Sequence, residues 1–195
     1  MTNNLEIIKP LLLFESEDDF YFLQILQRKK ENDELGSNSR VIKNYSITSI
    51  THLEKHYPEI ISLCQKFNAR AMLRLNKRSF EKTAFHTLIN ISNNMMNRDF
   101  VNVNRCYDRA CGQNHNDKNK KWILDVDSKD LDVKRLITAV QFCDPEQGTE
   151  KHYCVIPSKN GYHLLTKPFN IEQFKNMRLP EIDIQKDNPV NLYFP

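Results

Sequence analysis

An α+β fold is predicted for this chain. A ferredoxin-like βαββαβ unit fills residues 120–195 and packs with an N-terminal α/β module over residues 1–119 into one compact body. Three observations predict it. The second half reads in order as strand, helix, strand, strand, helix, strand, which is the split βαβ arrangement. The turn "SKNG" joins two strand-like runs, "HYCVIP" and "YHLLTKPF", as a hairpin. In the first half, the alternating run "ARAMLRLN" lies between two helices that open on Ser49 and Ser79.

Each element has a local reason. "KPLLLF", residues 9–14, is apolar and reads as a strand. "ESEDDFYFLQILQRKK" has acids first and cations last, as a helix macrodipole prefers, and is assigned as a helix. "ENDELGSNS" is a polar loop and "RVIKNYSI" a strand. Ser49 caps a helix that runs to about Phe67, with Pro58 as a point of restart. From Ser79, the spacing of Phe80, Ala84, Leu88, Ile91 and Met95 marks one helical stripe, assigned to the core. Residues 98–119 are polar and irregular.

The second half is more regular. Trp122–Asp127 is a strand, and Asp130 caps a helix whose apolar face includes Val133, Leu136, Ile137 and Val140. "DPEQGTE" is a loop before the hairpin. Asn170 caps "IEQFKNM", and extended segments follow at "EIDIQK" and "VNLYF".

Composition excludes several classes. Only 4 Gly occur, and neither a Walker nor a dinucleotide loop is present. The longest apolar run, Leu11 to Phe14, cannot cross a membrane. The five cysteines are scattered and no CxxC occurs, which suits free thiols in a cytoplasmic protein. The net charge of +3 is small, but Lys66, Arg70, Arg74, Lys77, Arg78 and Lys82 gather around the single acid Glu81. Such a cluster neutralises phosphates or forms a solvated face.

The strongest chemical signal is a pair of acids inside the apolar run "WILDVD". Alternation puts Asp125 and Asp127 on one face. In a ferredoxin-like sheet this first strand is central, beside the third strand with His163 and the fourth with Asp183. Three carboxylates brought together repel and take up protons unless a cation sits among them. Mg²⁺ or Mn²⁺ meets that need, since hard cations prefer oxygen ligands. Two such ions about 3.5–4 Å apart serve phosphoryl transfer. His163 and Lys159 are placed to hold a triphosphate.

"LDVD" (124–127), "SKNGYHLL" (158–165) and "EIDI" (181–184) resemble, in order and approximate spacing, the three motifs of the archaeo-eukaryotic primase superfamily. That superfamily includes primase-polymerases of plasmids, phages and mobile elements. The resemblance implies an RRM-like C-terminal unit packed on an N-terminal α/β module. It implies Asp125, Asp127 and Asp183 as ligands of the catalytic metals, and His163 as a contact of the incoming nucleotide's triphosphate. Ser158 and Lys159 would assist, and Arg74, Lys77 and Arg78 would guide template or triphosphate. Two departures stand out. The serine of the second motif lies further back than usual, because Gly161-Tyr162 precede His163. Asp187 in "QKDN" also competes with Asp183 for the third acidic position.

Two secondary signals remain. Cys106, Cys111 and His115 have a C-x4-C-x3-H spacing that opens a zinc site, whose fourth ligand would have to come from Cys143, His152 or Cys154. The alternative is two buried thiols and a surface histidine. Trp122 shares its side with Leu124 and Val126, away from the acids, and is assigned to the core.

The expected function is template-dependent nucleotidyl transfer by two-metal catalysis, with nucleoside triphosphates and single-stranded DNA or RNA as partners and a separate helicase alongside. The alternatives are a non-catalytic RRM-like nucleic-acid-binding protein and a metal-dependent nuclease.

Overall fold

The structure is a computed structural model that describes residues 1–113, 119–128, 131–177, 179–180 and 182–195. The described part is mixed α+β and has two antiparallel sheets.

The first sheet contains β1 (Thr2–Asn3), β2 (Asp19–Gln27), β3 (Arg40–Ile47), β4 (Arg70–Arg74), β5 (Arg78–Ser79) and the chain's last strand, Pro189–Phe194. Its order is β1, last strand, β4, β2, β3, with β5 paired to β2. α1 (Leu5–Ile8) and α2 (Ile50–Lys66) cover one face, and α3 (Phe80–Met96) and α4 (Cys106–Gln113) belong to the other side. The second sheet contains β6 (Trp122–Val126), β7 (His152–Pro157), β8 (Tyr162–Thr166) and β9 (Asp183–Gln185), in the order β7-β8-β6-β9. α5 (Val133–Gln141) and α6 (Ile171–Lys175) pack on it, and the last strand is β10.

Local chemistry explains the helix starts. The Ser49 side chain accepts from His52 N, Ser79 from Lys82 N, and Asn170 from Glu172 N and Gln173 N. Asp132 caps α5 by accepting from Lys134 N, while the expected cap Asp130 lies outside the described residues. Pro58 lies within an uninterrupted α2.

Four assignments change, the first being the α3 stripe assigned to the core, of which Ala84, Leu88 and Met95 are exposed. Residues 9–14 are not a strand: Lys9–Leu11 form a 3-10 turn. The segment assigned as a helix, residues 15–30, contains β2, which lies between β4 and β3. Phe20, Tyr21, Phe22, Leu23 and Ile25 are all buried, because both faces of this central strand are covered. A strand buried on both sides loses its alternation and can read as helix. The acids before it form a turn, in which the Asp19 carboxylate accepts from Glu15 N and Ser16 N. Finally, residues 98–119 are not wholly irregular, since a 3-10 turn over Phe100–Arg105 leads into α4.

Residues 120–195 do not close on themselves, because β10 returns to pair with β1 and β4. The two halves also share a core. The apolar cluster of Leu53, Ile60, Leu73 and Val190 extends to Ile123, Ile156 and Leu165 of the second sheet. The opposite face of that sheet, with Leu124, Val126 and Leu164, packs on Leu136, Val140 and Phe174. Trp122 lies on this helix side, edge-on to Phe169.

One buried side chain fixes where β6 begins. Asn76 accepts from Lys121 N at 2.7 Å and donates to Lys121 O at 3.1 Å, imitating a strand partner. The same amide nitrogen reaches Lys186 O and Asp187 Oδ1. Replacing it strands buried backbone groups of Lys121, at a cost of about 1–3 kcal/mol for each unsatisfied group. Asn76→Ala is therefore expected to lower unfolding stability by about 2–4 kcal/mol, read as a shift of the urea midpoint with an unchanged slope.

Candidate functional site

Strand register assembles the site. Asp125 of β6 pairs with His163 of β8 on one side and with Asp183 of β9 on the other. Three chain segments thus place His163, Asp125 and Asp183 in one row across the sheet. His163 Nε2 lies 3.2 Å from Asp125 Oδ1. Gln185, two residues along β9 and so on the same face, donates to Asp125 Oδ2 at 3.2 Å and to Asp183 Oδ2 at 2.7 Å. One amide nitrogen therefore bridges both carboxylates. The hydrogen bond from His163 holds the Asp125 carboxyl below its ordinary range; burial opposes this, and Gln185 and the charge of Arg28 add to it. Asp127 follows β6 and is exposed at the end of the row.

His163 and Asp125 of the row, with Asp127, line a polar cleft of about 590 Å³ between the two sheets, and Asp183 lies outside it. The first sheet and the loop after β2 supply Arg28, Lys30, Glu31 and Arg70, and the second supplies Asp125, Asp127, Lys159 and His163. Glu31 accepts from Arg70 Nε at 2.9 Å and from Lys159 Nζ at 3.1 Å. Burial alone would raise the Glu31 carboxyl, but hydrogen bonds and charge from Arg70 and Lys159 hold it below its usual range. A second, larger hollow of about 1320 Å³ opens beside Asp125, Asp127 and Asp183, toward Leu131, Phe174 and Ile182.

Two small features shape the hairpin. Ser158 Oγ accepts from Gly161 N at 3.2 Å, so this hydroxyl locks the turn. Gly161 is packed directly on β6, where an added Cβ would lie 1.9 Å from Val126 O. Only glycine allows the turn to approach the strand that carries the acids.

The sequence-predicted residues divide clearly. Asp125, Asp127, Asp183, His163, Ser158 and Lys159 come together. Arg74, Lys77 and Arg78 do not line either hollow, because each is engaged elsewhere. Arg78 is fully buried, bonded to Asp187 and to Cys111 O and Asn76 O. Arg74 binds the Asp187 backbone and carboxylate. Lys77 is buried against Glu15 and Asp19. Asp187 is thereby committed to arginines, which leaves Asp183 as the acid beside Asp125.

The cysteines are packing groups here. Cys111 is buried with Phe20 and Phe22, and burial pushes its thiol up to about 11. Cys106 Sγ meets Asn94 and Asn102 O. His115 lies outside the described residues. Cys143 is buried against α5, and Cys154 packs at the other core.

The contributions that sequence reasoning missed are Arg28, Lys30, Glu31 and Gln185. The first three were hidden by the helix assigned to residues 15–30 and the loop assigned after it. Gln185 carried a usable signal, since it stands two residues after Asp183 and alternation puts both on one face.

Among the described residues, no group of three or more His, Cys, Asp or Glu side chains is already gathered as a metal site. The donor set nevertheless suits a hard cation. Asp125 and Asp183 present carboxylate oxygens on adjacent strands, and Asp127 adds another nearby. No protein family model, curated protein or solved structure matches this chain.

Two outcomes test this geometry. Gly161→Ala should force the hairpin off β6 and destabilise the protein by at least about 1–3 kcal/mol, read by thermal melting. Glu31 has a lowered folded pKa, so its stabilising contribution is complete above the unfolded value of about 4.3 and is lost as pH falls through the folded value. The melting temperature of wild type should therefore exceed that of Glu31→Gln at pH 7, and the gap should close on acidification below about pH 4.

Proposed function

We propose that this protein catalyses template-dependent nucleotidyl transfer, in the manner of a primase-polymerase, on single-stranded DNA or RNA. The observation that carries this reading is the His163–Asp125–Asp183 row, whose His163 and Asp125 line a cleft that also holds cations from both sheets. The order β9-β6-β8-β7 with α5 and α6 on one face supports an RRM-like reading of the second sheet.

Each group has a part. Mg²⁺ or Mn²⁺ held by Asp125, Asp127 and Asp183 would supply activation of a 3′-hydroxyl and charge neutralisation at the leaving oxygen. The hydroxyl oxygen gives its proton to solvent and bonds to the α-phosphorus of a nucleoside triphosphate, the α–β bridging P–O bond breaks, and pyrophosphate departs. Arg28, Lys30 and Lys159 offset the triphosphate charge, with Arg70 behind them. His163 is nine-tenths buried, and its Nδ1 has no hydrogen-bond partner among the described residues. Through Nε2 His163 holds the Asp125 carboxylate, and as a lining group of the cleft it stands beside the phosphates of a bound nucleotide. The row of acids argues against a protein that binds nucleic acid on this face without a cation, since carboxylates repel phosphates.

Thermal melting with Mn²⁺ and a nucleoside triphosphate checks the site. At a hundredfold excess over the dissociation constant, stabilisation of about 2.7 kcal/mol is expected. Asp125→Ala and Asp127→Ala should abolish it. Incubation with a single-stranded template and labelled nucleotides checks the chemistry. Extension or dinucleotide synthesis is expected, whereas shortening of the template would mark a nuclease.

A further inference from the structure

We infer that this protein forms a homodimer in which the outer faces of two α3 helices pack antiparallel. The basis is a helix with its polarity reversed. The side of α3 that meets α4 carries Thr83, Thr87, Asn90 and Asn94, of which Thr83 and Asn94 are buried. Asn90 and Asn94 donate to the carbonyl and thiol of Cys106, and Arg109 reaches Asn94. The side turned to solvent carries Phe85, Leu88, Ile89, Met95 and Met96, and Phe100 and Val101 follow just past the helix. These seven residues are between 53% and 85% exposed. An amphipathic helix ordinarily turns its apolar stripe inward.

The area fits a second copy. Taking about 200 Å² for a large side chain, the five on the helix alone leave roughly 600 Å² of largely apolar surface in water, and Phe100 and Val101 add to the exposed apolar area just past it. Monomers rarely expose contiguous apolar patches beyond a few hundred Å², and a standard interface takes about 800 Å² from each partner.

Charge sets the direction. Glu81 stands in the first turn, in line with the apolar stripe, beside Asp18, whose carboxylate accepts from Glu81 N. Arg98 stands just past the last turn. Glu81 and Arg98 are equally far from the midpoint between Ile89 and Asn90. A twofold axis through that midpoint puts each Glu81 beside the partner helix's basic end, a self-complementary, isologous contact. It also sets Phe85 against the methionines, and Ser92 in mid-stripe keeps the axes close. Lys82 is the only lysine or arginine within α3, so the face lacks the cations that would draw it to an anionic lipid surface or to nucleic acid.

Sedimentation velocity of the whole chain from submicromolar to hundreds of micromolar tests the inference. A concentration-dependent monomer–dimer equilibrium is expected. Leu88→Glu and Met96→Glu, both at exposed positions, should leave the far-ultraviolet circular dichroism spectrum unchanged and weaken association by about a hundredfold. Glu81→Arg or Arg98→Glu alone should weaken the dimer, and the two together should restore it, which a parallel pairing or an unrelated interface would not produce. A monomer at every concentration overturns the proposal, including one that binds anionic vesicles or nucleic acid through this face. So does a dimer indifferent to Leu88 and Met96.

Discussion

A carboxylate in the middle strand of a packed sheet is the constraint around which the second half of this molecule is organised. Asp125 has Leu124 and Val126 as chain neighbours in the core, and a shared apolar cluster begins one side chain away at Ile123. A half-buried carboxylate without partners would be costly or would protonate. Here it is held by His163 on one side and Gln185 on the other, both delivered by strand pairing and not by loops. Groups mounted on strands keep their spacing, so these side chains stay aligned with one another.

The same economy of partners explains why the molecule has two sets of cations with different fates. Arg74, Lys77 and Arg78 are paired with Asp187, Glu15 and Asp19 and are largely removed from water. Burial pulls the Arg74 guanidinium below its ordinary range while Asp187 opposes the shift, so breaking that pair would leave a buried charge. Arg74 and Arg78 join the turn after β9 to the strand–turn–helix at residues 70–80, Lys77 ties it to the turn before β2, and none is left free for a ligand. Arg28, Lys30 and Lys159 are more exposed and line a cleft. Among the described residues, Lys159 alone of these three is ion-paired, sharing with Arg70 the carboxylate of Glu31, within the cleft itself.

The sequence was legible where one element has one chemical job. Caps at Ser49, Ser79 and Asn170, the hairpin at Ser158–Gly161 and the acids of β6 follow from local rules that no tertiary contact overrides. It was misleading where burial is two-sided. β2 is covered on both faces, so its pattern has no period, and acids belonging to a turn took on the look of a helix start. Arg28 to Glu31 were lost with it, since their use depends on where a central strand ends. Arg74 and Arg78 show the opposite error. A basic cluster on the chain says nothing of its counter-ions, and Asp187, more than a hundred residues away in sequence, claims both.

The α3 stripe joins these two lessons. The helix was read correctly, but of the stripe assigned to the core Leu88 and Met95 face outward, Ile91 is half-buried and Phe80 stacks on the buried Phe20, because amphipathicity tells which residues share a face and not what lies beneath that face. Beneath α3 lies α4, and beneath α4 lies the side of the first sheet that carries Phe20, Phe22, Asn44 and Ser46. Asp108 accepts from Asn44, and Tyr107 meets Ser46, so α4 seals that part of the sheet with polar ties around a small apolar centre. Arg70, Met72 and Asn191, further along the sheet, are left facing the cleft. One sheet face thus has a helical cover over one part and an open polar cleft over another. The helix that completes the cover meets its neighbour through threonine and asparagine, and its apolar side has nowhere to go but outward.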